Sequence, residues 1–377
     1  MKLLLVITKS EIGGAQVFVL NLAKELKKRG LEVVVAAGDG GYLFEELKKY
    51  NVEHYYLKSL KRDVNIFNAV YFIYDIYRLL KKNNFHIVHL NSTNTLLSVI
   101  STLFLKYKPK IVFTFHGLSL LDKNYQSPQI LKFITKHYFK ALSGLLDASV
   151  FVSEINLKEA IKYNIVKSGE VIYNGLPEET MDYLQKKDAI EFFDNLCNHT
   201  LNDSFILGST GRLSYQKNYD FLIDNFNEIK KRIPSLKIII IGDGPFFADY
   251  KKKIQQIGAE NDFFFVGAIK ESYRYIKAFD VFVLPSRYEG LSISLLEALF
   301  AGMPILTTDV GGNREIVNND SRQLYELNNI NDFIKKLIFI KDNKEEITRY
   351  NLSLKSNFGL NAMTDKYMDI YKRLLGK

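Results

Sequence analysis

Short apolar runs alternate with longer amphipathic stretches along most of the chain. Leu3–Thr8 is a continuous apolar run that predicts a buried strand; Gly13-Gly14 follows it, and a helical pattern covers Ala15 to Arg29 before Gly30 stops it. Glu32–Ala37 reads as a second strand, Gly38, Gly40 and Gly41 as a turn, and Leu43–Tyr50 as a helix. Ile87–Leu90, Ile111–Phe115, Ala148–Val152 and Gly169–Ile172 continue the strand series. The pattern then restarts: Phe205–Thr210, Lys237–Ile241, Asp262–Val266, Val281–Leu284 and Pro304–Thr307 read as strands separated by helices. Strands alternating with helical segments predict parallel sheets with helical crossovers. The expected fold class is therefore α/β, built of two successive doubly wound, Rossmann-like units. Between them, 176–203 is the least periodic stretch and is expected to be a connection plus a helix.

Length supports the division, because 377 residues exceed what one compact core usually holds. Domain boundaries are expected at 1–174 and 175–357, with a last helix over about 358–377 packing back on the first domain. Cys197 is the lone cysteine, which excludes an internal disulfide and favours a reducing compartment. The start, MKLLLVITKSE, has too short an apolar run for a secretory signal, and Phe85–Leu105 is broken by Asn91 to Thr95, so no spanning helix is expected. Together these point to the cytoplasm. Net charge is +9 and uneven. Residues 1–174 hold 24 Lys+Arg and 14 Asp+Glu, or +10, which leaves 27 and 28, or −1, for 175–377. A cationic surface for an anionic partner is one explanation, and compositional bias towards Lys and Asn is the plainer one.

Candidate chemistry collects at the ends of expected strands, where doubly wound sheets bind ligands. The segment PSRYEGLSISLLEALFAGMPILTTDVGG from Pro285 to Gly312 carries two acids eight positions apart. Glu289 sits in the turn Glu289-Gly290-Leu291, and Glu297 near the start of a helix that Gly302 and Pro304 end. A helix N-terminus beside two acids suits a phosphate-bearing ligand flanked by sugar hydroxyls. GSTGRLSYQKN follows Phe205–Thr210 and places Arg212 and Lys217 on one loop, a spacing that suits a diphosphate. Gly13-Gly14, His116-Gly117, Asn174-Gly175 and Gly242-Asp243-Gly244-Pro245 end other strands. Each of these alone reads equally well as an ordinary turn or a structural histidine.

Taken in order, the segments resemble the retaining glycosyltransferases of GT-B fold, specifically the large family 4 that includes many bacterial polysaccharide and glycolipid transferases. The likeness covers nearly the whole chain, and the Glu289–Glu297 segment and GRLSYQKN are its most specific marks. It implies two Rossmann-like domains facing a cleft, with a nucleotide-sugar on the second and the acceptor on the first. Arg212 and Lys217 would hold the diphosphate, Glu297 the ribose, and Glu289 the transferred sugar with the backbone N–H groups of Gly290 and Leu291. Gly14 would let the first-domain loop approach the phosphates, His116 would face the sugar, Asn174 would line the cleft wall, and the Ile269 backbone would meet the base. Gln16 and Ser292 depart from the commonest pattern, which usually has an acid and a proline there.

No Asp-x-Asp and no His/Cys cluster of metal spacing occurs. The resemblance therefore implies a metal-independent retaining transferase with no cofactor. Its donor would be a nucleotide-sugar substrate, UDP-linked by family frequency, with GDP left open. Two other classes lack their marks in this sequence. A basic nucleic-acid-binding protein would need a recognition motif that is missing, and a dinucleotide oxidoreductase would need G-x-G-x-x-G. A sugar-nucleotide 2-epimerase of the same fold would act without an acceptor. The acceptor is expected to be a glycan or a polyprenyl-diphosphate-linked one, and the oligomeric state is left open.

One further expectation concerns the inner face of the membrane. In Asn65–Lys82, the residues Ile66, Val70, Ile73, Ile76 and Leu80 are expected to face the core, beside an aromatic-basic face of Phe67, Tyr71, Tyr74, Arg78 and Lys81. Ile130–Lys140 places Lys132, Lys136 and Lys140 on one stripe near Phe133 and Phe139. Such helices suit the surface of an anionic leaflet as a peripheral contact; core aromatics beside solvated lysines are the alternative.

Overall fold

The computed structural model describes residues 1–61 and 65–377. Its chain divides into two compact units. One holds Met1–Asp122, Gln126–Pro177 and Phe358–Lys377; the other holds Lys123–Tyr125 and Glu178–Asn357.

The first unit is built on a seven-stranded sheet in the order β3-β2-β1-β4-β5-β6-β7. Its strands are β1 (Lys2–Ile7), β2 (Glu32–Ala37), β3 (Glu53–Tyr56), β4 (Ile87–Leu90), β5 (Lys110–Phe115), β6 (Ala148–Phe151) and β7 (Glu170–Val171). Every pairing is parallel. Side chains alternate across a strand, so β1 serves two layers at once. Leu3, Leu5 and Ile7 meet helices Gly14–Lys28, Tyr42–Lys49 and Leu360–Leu374; Leu4 and Val6 meet helices Ile66–Asn83 and Gln129–Ser143. Burial on both faces explains why the strands read as unbroken apolar runs. Strand β3 escaped the sequence pattern because EHYY lies at the sheet edge with no residue fully buried.

The last helix belongs to this unit. Leu176 donates its backbone N–H to the Phe358 carbonyl (2.9 Å) and accepts from the Leu360 N–H (3.0 Å), so the two chain segments lie side by side. Tyr367 and Tyr371 from that helix close a buried polar chain: Tyr371 Oη to His89 Nδ1 (2.7 Å), His89 Nε2 to Thr114 Oγ1 (2.7 Å), and Thr114 Oγ1 to Tyr367 Oη (2.9 Å). Burial, with a smaller contribution from His116, pushes the His89 imidazole down from 6.5 to about 3, so it stays neutral.

A six-stranded parallel sheet forms the second unit, in the order β10-β9-β8-β11-β12-β13. Its strands are β8 (Phe205–Thr210), β9 (Leu236–Ile241), β10 (Phe263–Phe265), β11 (Val281–Leu284), β12 (Ile305–Thr308) and β13 (Leu324–Tyr325). β13 has two residues, too few to show a period. The 176–203 stretch contains helix Lys186–Cys197, whose Phe192 and Phe193 pack on Tyr275 and Phe279.

The expected core face of the Asn65–Lys82 helix needs correction. Its buried residues are Phe72, Ile76, Leu79 and Leu80, whereas Val70 is exposed and Ile73 only half-buried. The side chain of Ile66 lies outside the described residues. In helix Gln129–Ser143, Phe139 is buried against Phe115, while Phe133 is exposed. The true stripe follows the 3.6-residue period through Phe72 and Leu79 and rotates the core face away from Val70.

Candidate functional site

In the second sheet the strand order reverses between β8 and β11, and loops leaving these two neighbours diverge at their carboxyl ends. Lys217 comes from the first loop and Glu289 from the second. Their side chains meet at 2.7 Å, nearly buried, at 14% and 8% exposure. Glu289 also accepts from Ser286 Oγ (2.7 Å) and Gln216 Nε2 (3.2 Å). A desolvated charge pair persists only when its remaining lone pairs are satisfied, and here both carboxylate oxygens are. Ser286 and Gln216 were missed from sequence. Gln216 adjoins Lys217, but nothing in a linear pattern pairs it with Glu289 across 73 residues; Ser286 lies three residues before Glu289, a spacing that does not by itself mark a hydrogen bond.

The loop is held from several sides. Arg287 donates its backbone N–H to the Gln216 carbonyl (2.8 Å) and its Nη1 to the Tyr215 carbonyl (2.6 Å), and its guanidinium lies 4.2 Å over the Tyr215 ring. Asn218 donates to the Pro285 carbonyl (2.9 Å). Gly311, at φ +48°, passes directly against the Glu289 backbone, and a Cβ there would lie 2.0 Å from the Glu289 carbonyl oxygen. The next residue, Gly312, donates to Gly290 O (2.8 Å). The Gly-Gly after β12 therefore seats the turn that carries Glu289.

Glu297 stands in the second turn of helix Ile293–Phe300, not at its start. Burial pushes its carboxyl up from 4.5 to about 8, with Lys217 pulling the other way. Among the described residues its carboxylate has no hydrogen-bond partner; Tyr183 Oη donates instead to the Glu297 carbonyl (2.9 Å). Lys217 thus acts electrostatically on both acids. Arg212, on the same loop, is exposed and makes no ion pair among the described residues. Gly290 and Leu291 are buried in the turn ahead of the helix. Ile269 does not join this cluster: its loop leaves β10 at the sheet edge, and reaches the Arg212 loop through Gly242 N–H to Gly267 O (2.8 Å) and Leu213 N–H to Asp243 O (3.0 Å).

Within the first unit, Gly14 opens helix Gly14–Lys28, and Gln16 Nε2 donates back to the Lys9 carbonyl (3.0 Å). Phe18 of this helix sets its ring edge-on to His116, 4.7 Å between centroids. The imidazole Nε2 reaches Asn91 Oδ1 (3.3 Å) at the end of β4. Burial lowers His116 from 6.5 to about 4, leaving a neutral imidazole at pH 7. The structure therefore gathers Gly14 and His116 around Phe18. Asn174 is buried beyond the edge strand β7 and is not part of that group. Among the described residues no group of three His, Cys, Asp or Glu is placed to hold a metal ion.

Two family models match successive stretches of this sequence: Glycosyltransferase Family 4 over residues 12–180 and Glycosyl transferases group 1 over residues 198–355. The chain belongs to the family 4 glycosyltransferases of GT-B fold. Its similarity to an Escherichia coli UDP-Gal:alpha-D-GlcNAc-diphosphoundecaprenol alpha-1,3-galactosyltransferase is 29% identity, over 85% of this chain and 84% of that one. An E. coli O-antigen biosynthesis glycosyltransferase, WbnH, is 26% identical over 98% of each. The crystal structure of Anabaena HepE in complex with UDP-glucose superposes with a TM-score of 0.81 over the full length of both chains, at 16% identity, which bears on fold. As a family 4 glycosyltransferase, the protein is an enzyme.

Proposed function

We propose that this glycosyltransferase moves a sugar from a nucleotide diphosphate, UDP by preference, to a glycan or polyprenyl-diphosphate-linked acceptor in cell-surface polysaccharide assembly. Transfer would retain the anomeric configuration and need no metal. The observation that carries it is Lys217, paired with Glu289 and pulling on the buried Glu297, with the exposed Arg212 on its own loop. Donor and acceptor classes rest on likeness to the E. coli galactosyltransferase, whose name gives a UDP-galactose donor and a diphosphoundecaprenol-linked acceptor.

When the bond from C1 to the β-phosphate oxygen breaks, negative charge builds on that phosphate. Arg212, Lys217 and the N-terminus of helix Ile293–Phe300 would stabilise it in place of a metal. Glu289, held by three donors, would receive hydroxyls of the transferred sugar, helped by the Gly290 and Leu291 N–H groups. Glu297 would accept the ribose hydroxyls, and the Ile269 backbone would meet the base. Gly14 would admit the phosphates to the first-unit loop. Neutral His116 would face the transferred sugar, and Asn174 would line the cleft wall. The acceptor oxygen would attack C1 on the face the phosphate leaves, pass its proton to that phosphate oxygen, and release the nucleoside diphosphate.

The test is transfer from UDP-sugars to a lipid-diphosphate disaccharide or monosaccharide acceptor, with the product's anomeric proton read by NMR. Retained configuration, activity unaffected by EDTA, and a loss of about 10²-fold or more in kcat for both Arg212→Ala and Lys217→Ala are expected. An inverted product, or abolition by chelation, overturns the mechanism. Donor conversion without acceptor would instead identify a 2-epimerase.

A further inference from the structure

Among the described residues, the large apolar side chains left exposed are unevenly shared. Sixteen belong to the first unit and three, Leu196, Phe339 and Leu352, to the second. Most of the sixteen lie on one side. Helices Ile66–Asn83 and Gln129–Ser143 cover the same sheet face, the one lined by Leu4 and Val6. Ser101 Oγ ties the short helix Ser98–Thr102 to the Ile73 carbonyl (2.8 Å), and Tyr138 Oη ties the second long helix to the Thr93 carbonyl (2.9 Å). Outward from this layer stand Phe67 at 73%, Phe104 at 70%, Ile130 at 65% and Phe133 at 59% exposure, with Tyr71 and Tyr74 between. No helix among the described residues is long and apolar enough to cross a membrane.

Charge on the same segments has one sign. Residues 66–83, 98–109 and 129–143 carry eight Lys or Arg and one acid, Asp75, for a net +7. Asp75 accepts a hydrogen bond from Ser59 Oγ. Arg78, Lys81, Lys106, Lys108 and Lys140 are exposed beside the aromatic rings. Aromatic rings among cations, with Asp75 the one acid on these segments, match the boundary between headgroups and acyl chains of an anionic bilayer. A second copy of the chain would set +7 against +7 and is disfavoured by that repulsion.

We propose that this side of the first unit, formed by helices Ile66–Asn83 and Gln129–Ser143 and the 103–108 turn, is a docking face for an anionic lipid surface. Shallow insertion of Phe67, Tyr71, Phe104 and Phe133 supplies the apolar part and the lysines the long-range attraction. The proposal stands apart from the transfer chemistry, and its test needs neither donor nor acceptor.

The full chain is mixed with phosphatidylcholine vesicles, with and without phosphatidylglycerol, and the bound fraction is measured by co-sedimentation. Binding to the anionic vesicles only is expected, falling roughly tenfold or more between about 0.05 M and 0.5 M salt. The variant Phe67→Ser, Tyr71→Ser, Phe104→Ser, Phe133→Ser should lose binding about tenfold or more with an unchanged melting transition, since all four are exposed. A second variant, Lys106→Gln, Lys108→Gln, Lys136→Gln, Lys140→Gln, keeps the apolar surface and should lose the anionic preference, which decides the matter if the first does not fold. No binding at low salt, undiminished binding by both folded variants, or a wild-type dimer in sedimentation velocity that the aromatic variant abolishes overturns the proposal.

Discussion

Lys217 pairs with Glu289 and pulls down the carboxyl of Glu297. Replacing it by Ala leaves Glu289 buried and uncompensated, which should destabilise the second unit by about 3 kcal/mol as well as removing a cation from the phosphates. Glu289→Gln should cost less stability because Ser286 and Lys217 keep a carbonyl acceptor, yet transfer should still fall; urea melts and kcat measured together separate the two effects. Glu297 supplies a pH signature. Its folded-state value, near 8 against an ordinary 4.5, means that the native chain holds this proton through neutrality and releases it as pH rises through 8. The associated stability is full below about pH 4.5 and is lost as pH climbs to 8. Since ribose hydroxyls bind an ionised acceptor better, donor KM should fall as pH rises through 8, and Glu297→Gln should flatten that dependence. A KM profile unchanged by the substitution would dissociate Glu297 from the donor. The acids and cations of this site were legible in the sequence by type and place on the strand ends. Their ion pairing was not, because the order of strands in the sheet alone makes neighbours of the β8 and β11 loops.

At the scale of elements, the turn after β11 depends on the turn after β12. Gly311→Ala would put a methyl 2.0 Å from the Glu289 carbonyl at a left-handed φ, so the two loops must separate. A cost of about 2 kcal/mol or more, with kcat reduced further than stability explains, is expected from thermal melts and initial rates. The polar chain through His89 makes a different demand. Tyr371→Phe keeps the ring but strips His89 Nδ1 of its partner, and about 1–3 kcal/mol should be lost. Both His89 and His116 have folded-state values below the ordinary 6.5, so their contribution is present above pH 6.5 and is lost as pH falls to about 4 and then 3. The strands of the two sheet centres were evident from their apolar runs. β3 and β13 were not, because an edge strand is half solvated and a two-residue strand has no period. Apolar spacing through Ile66 and Val70 points Val70 to the core; the sheet instead takes the stripe through Phe72, Ile76 and Leu79.

For the whole molecule, the last helix ties the chain's end to its beginning. Leu360, Met363, Tyr367, Ile370 and Tyr371 are buried with Leu3, Leu5 and Val19. At about 1.5–3 kcal/mol for each buried side chain, the five together rival the entire stability of an ordinary domain. Deleting residues 358–377 should therefore unfold the first unit and leave the second intact; calorimetry should show one transition where the full chain shows two. What the linear order determined was the kind of protein: period and apolar runs dictate parallel α/β sheets, and the residues at strand ends mark the family. What only the folded chain decided was who meets whom. Which helix faces close on β1, which acid pairs with Lys217, and which aromatic rings stay outside all depend on contacts between distant segments, whose energies no local pattern contains.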